Sequence, residues 1–449
     1  MNKYEKYKAS GIEWMGDMPD HWRKLKIGRS FKQIGSGTTP KSGSDAYYED
    51  GEINWLNTGD LNDSYITETK KKITAAALNE FSTLKIYPIN SIVIALYGAT
   101  IGKLGQLQIE TTTNQACCVL SDSDDIENRY LLYFLLSARE YIISRAYGGG
   151  QPNISQDLIK QLYIAAPAKN EQGQIVQYLD HQTAIIDQLI QQKEKLIELL
   201  KEKRQAVINE AVTKGLNPNA KMKESGIEWL GKVPEEWIES RIKFVANIQG
   251  RVGYKGYTKE DIVAEGEGAL TLGAKHIDKE NNLDLKSPEY IKWEKYEESP
   301  EIMVKMDDII FTQRGSLGKV CHINSDIGKA TINPSMVILS PISIYPRFLY
   351  YWLSSNRIQN EVEVLQSNTA VPMISQFQLS NFPILLPPLQ EQMDIVKSID
   401  EKLLAFRSMF QLSNNQIEKL EEFRQSIISE AVTGKIDVRE WQPNKQQVA

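Results

Sequence analysis

Nucleophiles, acid–base groups and metal ligands are sparse in the 449-residue sequence, whereas hydrogen-bond donors on glycine-rich turns are abundant. Of the three cysteines, Cys117 and Cys118 are neighbours and Cys321 stands alone, which suits neither a disulfide framework nor a paired-ligand zinc site. They read as small buried hydrophobes. The four histidines, His21, His181, His276 and His322, are scattered without metal-ligand spacing. No Walker loop and no glycine-rich cofactor loop is present. What remains is donor chemistry. Ser, Thr, Lys, Arg and Gln are interleaved with glycine at 35–40, 98–103, 148–151 and 314–319. Turns of that composition expose backbone N–H groups and short side chains to a polar or anionic partner.

The elements that position those turns are written twice. Ser10-Gly11-Ile12-Glu13-Trp14-Met15-Gly16, with Pro19 and Trp22 after it, recurs as Ser225-Gly226-Ile227-Glu228-Trp229-Leu230-Gly231, with Pro234 and Trp237. Ile154-Ser155-Gln156, Pro167, Glu171-Gln172 and Ile175-Val176 recur as Ile374-Ser375-Gln376, Pro387, Glu391-Gln392 and Ile395-Val396. Arg204-Gln205 and Glu210-Ala211-Val212-Thr213 recur as Arg424-Gln425 and Glu430-Ala431-Val432-Thr433. A period of roughly 220 residues marks a duplicated domain rather than a solenoid.

Each copy divides into a globular part and a helix. The spans 91–96, 116–120, 308–313 and 336–339 are short β-type runs, and 130–145 and 346–365 have helical spacing, so each globular part is α+β. Residues 171–213 and 391–433 lack proline, which predicts two helices of about 40 residues, well beyond the usual globular length. Ile399, Leu403, Phe406, Phe410, Ser413, Ile417, Leu420, Arg424, Ile427 and Ala431 follow alternating steps of four and three, as a coiled-coil seam does. Leu179, Thr183, Ile186, Ile190, Lys193, Ile197, Leu200, Arg204, Val207 and Ala211 occupy the same places in the first copy. Thr213-Lys214-Gly215 and Thr433-Gly434 carry the stop signals. Connectivity predicts antiparallel pairing, with a rod of roughly 60 Å and an approximate two-fold axis like the pseudo-dyad of a DNA duplex. Glu171-Gln172 and Glu391-Gln392 fall in the first helical turns, and Trp14, Trp22, Trp229 and Trp237 read as packed corners.

The totals bound the rest. With 41% hydrophobic and 24% charged residues the chain is globular, and its length requires at least two domains. A formal charge of −6 argues against coating DNA by bulk electrostatics. The polar first ten residues and the absence of an apolar run of about 18 predict a cytoplasmic protein.

The duplicated Gly-Ile-Glu-Trp openings, and Pro387-Pro388-Leu389-Gln390-Glu391-Gln392 leading into a long helix, resemble the specificity subunits of type I restriction-modification systems. So does the order of Gly35-Ser36-Gly37-Thr38-Thr39-Pro40, Trp55, Thr58-Gly59-Asp60-Leu61, Gly98 to Lys103 and Thr113 to Cys118. The resemblance covers nearly the whole chain. It implies two tandem α/β target recognition domains at 1–165 and 216–385, joined by antiparallel coiled-coil helices at 166–215 and 386–436. It further implies that the chain itself is not an enzyme. Each domain would read one half of a two-part double-stranded DNA target, with the helices setting the gap. The implied partners are two modification (methyltransferase) subunits binding S-adenosylmethionine and restriction subunits that hydrolyse ATP with Mg. No cofactor is expected on this chain.

On that reading the DNA-contact candidates of the first domain are Ser36, Thr38, Thr39, Lys41, Tyr97, Thr100, Lys103 and Gln151. Those of the second are Arg251, Tyr254, Lys255, Lys275, Gln313, Arg314, Ser316, Lys319, Asn368 and Thr369. The second domain has Arg314-Gly315-Ser316-Leu317-Gly318-Lys319 where the first has Gly98 to Lys103, so the two half-sites should differ. The rival is a self-contained DNA methyltransferase or nuclease with fused recognition domains. Asn333-Pro334-Ser335-Met336 lacks the second proline and the aromatic ring of an adenine-methyltransferase motif. In Pro288-Glu289 with Glu294-Lys295, the last two residues are adjacent where a nuclease motif separates them by one.

Overall fold

The computed structural model describes residues 2–148, 152–226, 230–251, 253, 256–367 and 373–443. It divides into two units, Met1–Lys193 with Asn414–Ala449, and Glu194–Ser413.

In the first unit a five-stranded sheet runs in the order Gln33–Ser36, Cys117–Ser121, Ile92–Ala95, Leu104–Leu107, Tyr65–Ile66. All neighbours are antiparallel except the last pair. Ile92 to Ala95 are each at most 1% exposed, because alternate side chains feed two different cores. Ile92, Ile94, Cys118 and Leu120 join the cluster under the helix Asn128–Ser137, while Val93, Ala95, Cys117 and Val119 pack with Leu56, Ile66 and Tyr87. The second unit repeats the scheme with a four-stranded antiparallel sheet, Ala246–Gly250, Met336–Ile342, Ile309–Thr312, Val320–His322. Ile309, Phe311, Val337 and Leu339 face one core, and Ile310, Cys321, Met336 and Ile338 the other. All three cysteines are buried free thiols.

The helical run expected at 130–145 is two helices, Asn128–Ser137 and Arg139–Ser144, and that at 346–365 is Pro346–Leu353 followed by Asn356–Ser367. In the second case Ser355 causes the break: its hydroxyl donates to the Trp352 carbonyl at 2.6 Å, and such side chains compete with the helical backbone.

The two long helices are Lys169–Lys214, of 46 residues, and Leu389–Val432, of 44. The first is therefore about 69 Å long. All twenty residues of the two seams are buried or half-buried. In the first unit the opening residues Ile175, Val176 and Leu179 share a core with the closing residues Ile427, Ala431 and Val432, and Arg424 pairs with Asp187 at 2.8 Å. In the second unit Ile395, Val396 and Ile399 share a core with Ile208, Ala211 and Val212. In both units an opening meets a closing, so the helices run antiparallel. Gly215 (φ 75°) and Gly434 (φ 72°) end them in the left-handed conformation that glycine adopts without strain.

Each helix is keyed to its globular part by the same groups. Trp22 donates to Glu171 at 2.9 Å and Trp237 to Glu391 at 3.1 Å. Gln172 accepts from the Glu127 amide, and Gln392 from the Tyr345 amide. Arg129 and Tyr133, one turn apart, both bond Asp180, and Arg347 and Tyr351 both bond Asp400. The sequence repeats this set too, Arg129-Tyr130-Leu131-Leu132-Tyr133 against Arg347-Phe348-Leu349-Tyr350-Tyr351, with Asp180 and Asp400 at matching places.

Candidate nucleic-acid interface

Strand register brings the glycine-rich turns of the first unit to one end of its sheet. Ser36 ends its strand opposite Cys118, and Cys117 starts its strand opposite Ala95, where another strand ends. The segments after Ser36, after Ala95 and before Cys117 therefore emerge side by side. Gly37 is where two of them touch: a Cβ there would lie 1.7 Å from the Thr113 carbonyl oxygen, so only glycine fits. Its amide donates to Thr113 Oγ1 at 3.0 Å, and Thr39 donates to Gln115 at 2.6 Å. Two further segments close the cluster. Asn114 donates to Asn57 at 3.1 Å, and Tyr97 bridges to Asn153.

The second unit repeats this frame in backbone hydrogen bonds. Asn114 N donates to Leu56 O at 3.0 Å, as Asn333 N donates to Leu272 O at 2.8 Å. Ile154 N donates to Leu96 O at 2.7 Å, as Ile374 N donates to Gln313 O at 3.0 Å. What differs is the set of side chains the frame carries.

In the first unit Lys41 and Lys103 are exposed, and Ser36, Thr38, Thr39, Tyr97 and Thr100, all half-buried, lie at the loop end. Among the described residues the Ser36 hydroxyl has no partner. In the second unit Arg314 and Ser316 are exposed on the turn between Thr312 and Val320. The Arg314 side chain rests with Nε 3.0 Å from the Met373 sulfur. Gln313 donates to the Pro334 carbonyl at 3.3 Å, and Lys275 pairs with Glu289 at 2.8 Å while remaining half-exposed.

Arg251 and Lys319 are engaged inside the fold. Arg251 is 7% exposed and donates to Ile332 O, Lys295 O and Thr331 Oγ1, with Tyr257 beneath its guanidinium. Burial holds its pKa below the ordinary guanidinium value. Lys319 Nζ caps the carbonyls of Ala274 and Ile277. Lys319 braces the turn that presents Arg314 and Ser316, and Arg251 the strand at Thr331 and Ile332. Gln151, Tyr254, Lys255, Asn368 and Thr369 lie outside the described residues, as does Trp229.

The segment 333–336 is a tight turn: Asn333 Oδ1 accepts from the Ser335 amide and hydroxyl, and Met336 N returns to Asn333 O at 3.1 Å. Sequence reasoning missed Asn57, Asn114, Gln115 and Tyr147, which is 75% exposed, at the loop end of the first unit. Asn114 and Gln115 belong to the Thr113 to Cys118 stretch that carries the family resemblance, but only the fold shows that they lie beside Thr39.

The fold and its loop ends define a protein with two similar presenting surfaces that carry different side chains. The family model for the type I restriction modification DNA specificity domain matches residues 19–199 and 234–422. The chain belongs to that family, the specificity subunits of type I restriction-modification systems. The type I restriction enzyme MjaVIII specificity subunit of Methanocaldococcus jannaschii is 26% identical, over 96% of this chain and 97% of the relative. The EcoKI specificity subunit of Escherichia coli K12 is 23% identical, over 94% of this chain and 90% of its own. Among solved structures, a chain described in work on complex assembly and conformational transition of the type I R-M system superposes with a TM-score of 0.70 at 16% identity, covering 93% of this chain and 99% of that one. The HsdS subunit from Thermoanaerobacter tengcongensis gives 0.51 at 16% identity, covering 93% and 98%. At these identities the structures share the fold.

Proposed function

We propose that the loop end of each unit reads one half of a bipartite DNA target, and that the chemistry belongs to partner subunits. The observation that carries this is the repeated loop frame holding unlike side chains: Tyr97 stands in one unit where Arg314 stands in the other, and Lys103 is exposed where its counterpart Lys319 is held by backbone carbonyls. Equivalent positions with different donors suit two readers of different sequences. Exposed Lys103 and Lys41 suit phosphate, and Arg314 suits the bidentate edge of guanine. Lys319 holds a turn and Arg251 a strand, while Gln151, Tyr254, Lys255, Asn368 and Thr369 complete the candidate set from the sequence.

On this reading the chain is non-catalytic and acts in the cytoplasm with two modification subunits that bind S-adenosylmethionine and with ATP- and Mg-dependent restriction subunits. The gap between half-sites is fixed by the long helices that start in one unit and end in the other. Among the described residues no helix is long and apolar enough to cross a membrane. The test is methyl transfer from labelled S-adenosylmethionine to genomic DNA. The pure chain should give none and the chain with its modification subunits should give site-specific label. Transfer by the chain alone would overturn the division of labour.

A further inference from the structure

We propose that the first unit carries a phosphodiester-binding cleft formed by Lys26, Arg29 and Lys160, beside its reading loops, which the second unit has lost. The inference rests on the DNA-reading role and adds a backbone anchor on one half of the target only. The cleft, of about 240 Å³, lies between the turn Ile27–Ser30 and the helix Gln156–Gln161. Gly28 permits their approach, since a Cβ there would come within 2.7 Å of the Lys160 carbonyl oxygen. Three cations line the cleft against one carboxylate, Asp157, which sits 3.8 Å from Lys160 and is itself largely exposed. Among the described residues no carboxylate lies within ion-pair distance of Lys26 or Arg29. In a chain of net charge −6, a cleft lined by three cations and one carboxylate stands out.

Its place is that of a DNA contact. The helix Gln156–Gln161 begins directly after Asn153 and Ile154, which are tied to the reading loop at Tyr97 and Leu96. A phosphate in the cleft would therefore belong to the strand flanking the bases read by those loops. Cations around a concave surface suit that group, and such contacts position DNA without specifying its sequence.

The duplication supplies an internal comparison. The repeat aligns Lys26 with Arg241, Gly28 with Lys243, Arg29 with Phe244, Asp157 with Phe377 and Lys160 with Ser380. In the second unit both cations are engaged on one residue: Arg241 donates to the Asn381 carbonyl and Lys243 to its side-chain oxygen, each at 3.0 Å. Phe244 and Phe377, at the places of Arg29 and Asp157, are 70% and 77% exposed, and Ser380 replaces the third cation.

The experiment measures affinity of the reconstituted complex for a duplex carrying its target, by fluorescence anisotropy across a potassium chloride series. Lys26→Gln with Arg29→Gln should make log K against log salt shallower by about 0.9 for each phosphate no longer neutralised, with base preference unchanged. Lys160→Gln alone should move the slope the same way, while Arg241→Gln with Lys243→Gln should leave it alone. An unchanged slope in a normally assembled complex overturns the proposal. So does loss of affinity explained entirely by weaker assembly with modification subunits, which would make the cleft a protein-binding surface. If the unmutated complex shows no sequence preference at all, the DNA-reading role itself has failed, and that outcome is distinguishable.

Discussion

Replacing Glu171 should cost the first unit more stability than replacing Glu391 costs the second. The Glu171 carboxylate is 6% exposed and accepts from Tyr4 Oη at 2.8 Å and Trp22 Nε1 at 2.9 Å, while its second oxygen meets His21 Nε2 at 2.9 Å. Burial, and then the Glu171 charge, hold the Tyr4 hydroxyl above its ordinary pKa, so it remains a donor. Trp22 is 0% and Tyr4 5% exposed, so Glu171→Ala leaves two buried donors that water does not reach. At about 1 to 3 kcal/mol for each donor left unsatisfied, the loss is about 2 to 6 kcal/mol. The exposed His21 adds little. Among the described residues Glu391 accepts one buried donor, Trp237, so Glu391→Ala should cost about 1 to 3 kcal/mol. Glu171→Gln keeps an acceptor oxygen and should recover most of the loss. Hydrogen exchange followed by mass spectrometry reads each unit separately, through peptides covering the sheets at 92–121 and 309–342. Equal destabilisation by the two alanine variants, or a glutamine variant as damaged as the alanine, would refute this reasoning.

Arg314→Ala should weaken binding of the reconstituted complex by about 1 to 3 kcal/mol and relax base preference in one half-site, as expected of an arginine on a guanine edge. Unchanged affinity and preference would remove Arg314 from the interface. Burial pushes Cys118 and Cys321 up to about 12 and Cys117 higher still, so thiolate is scarce in the native state. All three should resist a thiol reagent at pH 8 until the chain is unfolded, and rapid native labelling would contradict their burial. Burial also holds His276 and His322 of the second unit below the ordinary imidazole value. His276 Nδ1 accepts the Gly273 amide at 2.9 Å and is occupied in the neutral form. As pH falls below about 6.5 the unfolded chain takes up protons before the folded one, so this stability is complete above that pH and lost below it. Denaturant melts at pH 7.5 and 5.5, with exchange resolved by unit, should show the second unit losing more on acidification, and His276→Gln should blunt the difference.

The elements legible in the sequence are those fixed by local pattern. Steps of four and three mark the helix seams, and every seam residue is covered. The Gly215 and Gly434 stops fall where the helices end. The run Ile92–Ala95 declares two buried faces, but not which core each face meets. Long-range pairings are not legible. Nothing near Arg251 in sequence shows that the Ile332 and Lys295 carbonyls will surround it, and Lys319 is likewise claimed by Ala274 and Ile277. A loop cation looks the same in sequence whether it braces a turn or faces DNA. The Glu171 bonds to Tyr4 and Trp22 span 167 and 149 residues, far beyond any local signal. The basic cleft escapes for another reason: Lys26 and Lys160 come together only because Gly28 lets two distant segments touch.

The most direct test of two independent readers is a hybrid in which residues 30–160 are replaced by the matching span of a relative with a different target. The hybrid is assembled with its modification subunits, and the modified positions are mapped across a genome by sequencing. The predicted result is a target with one new half and the other half, set by the second unit, unchanged. A hybrid that assembles normally and keeps the original target, or changes both halves together, would contradict the account.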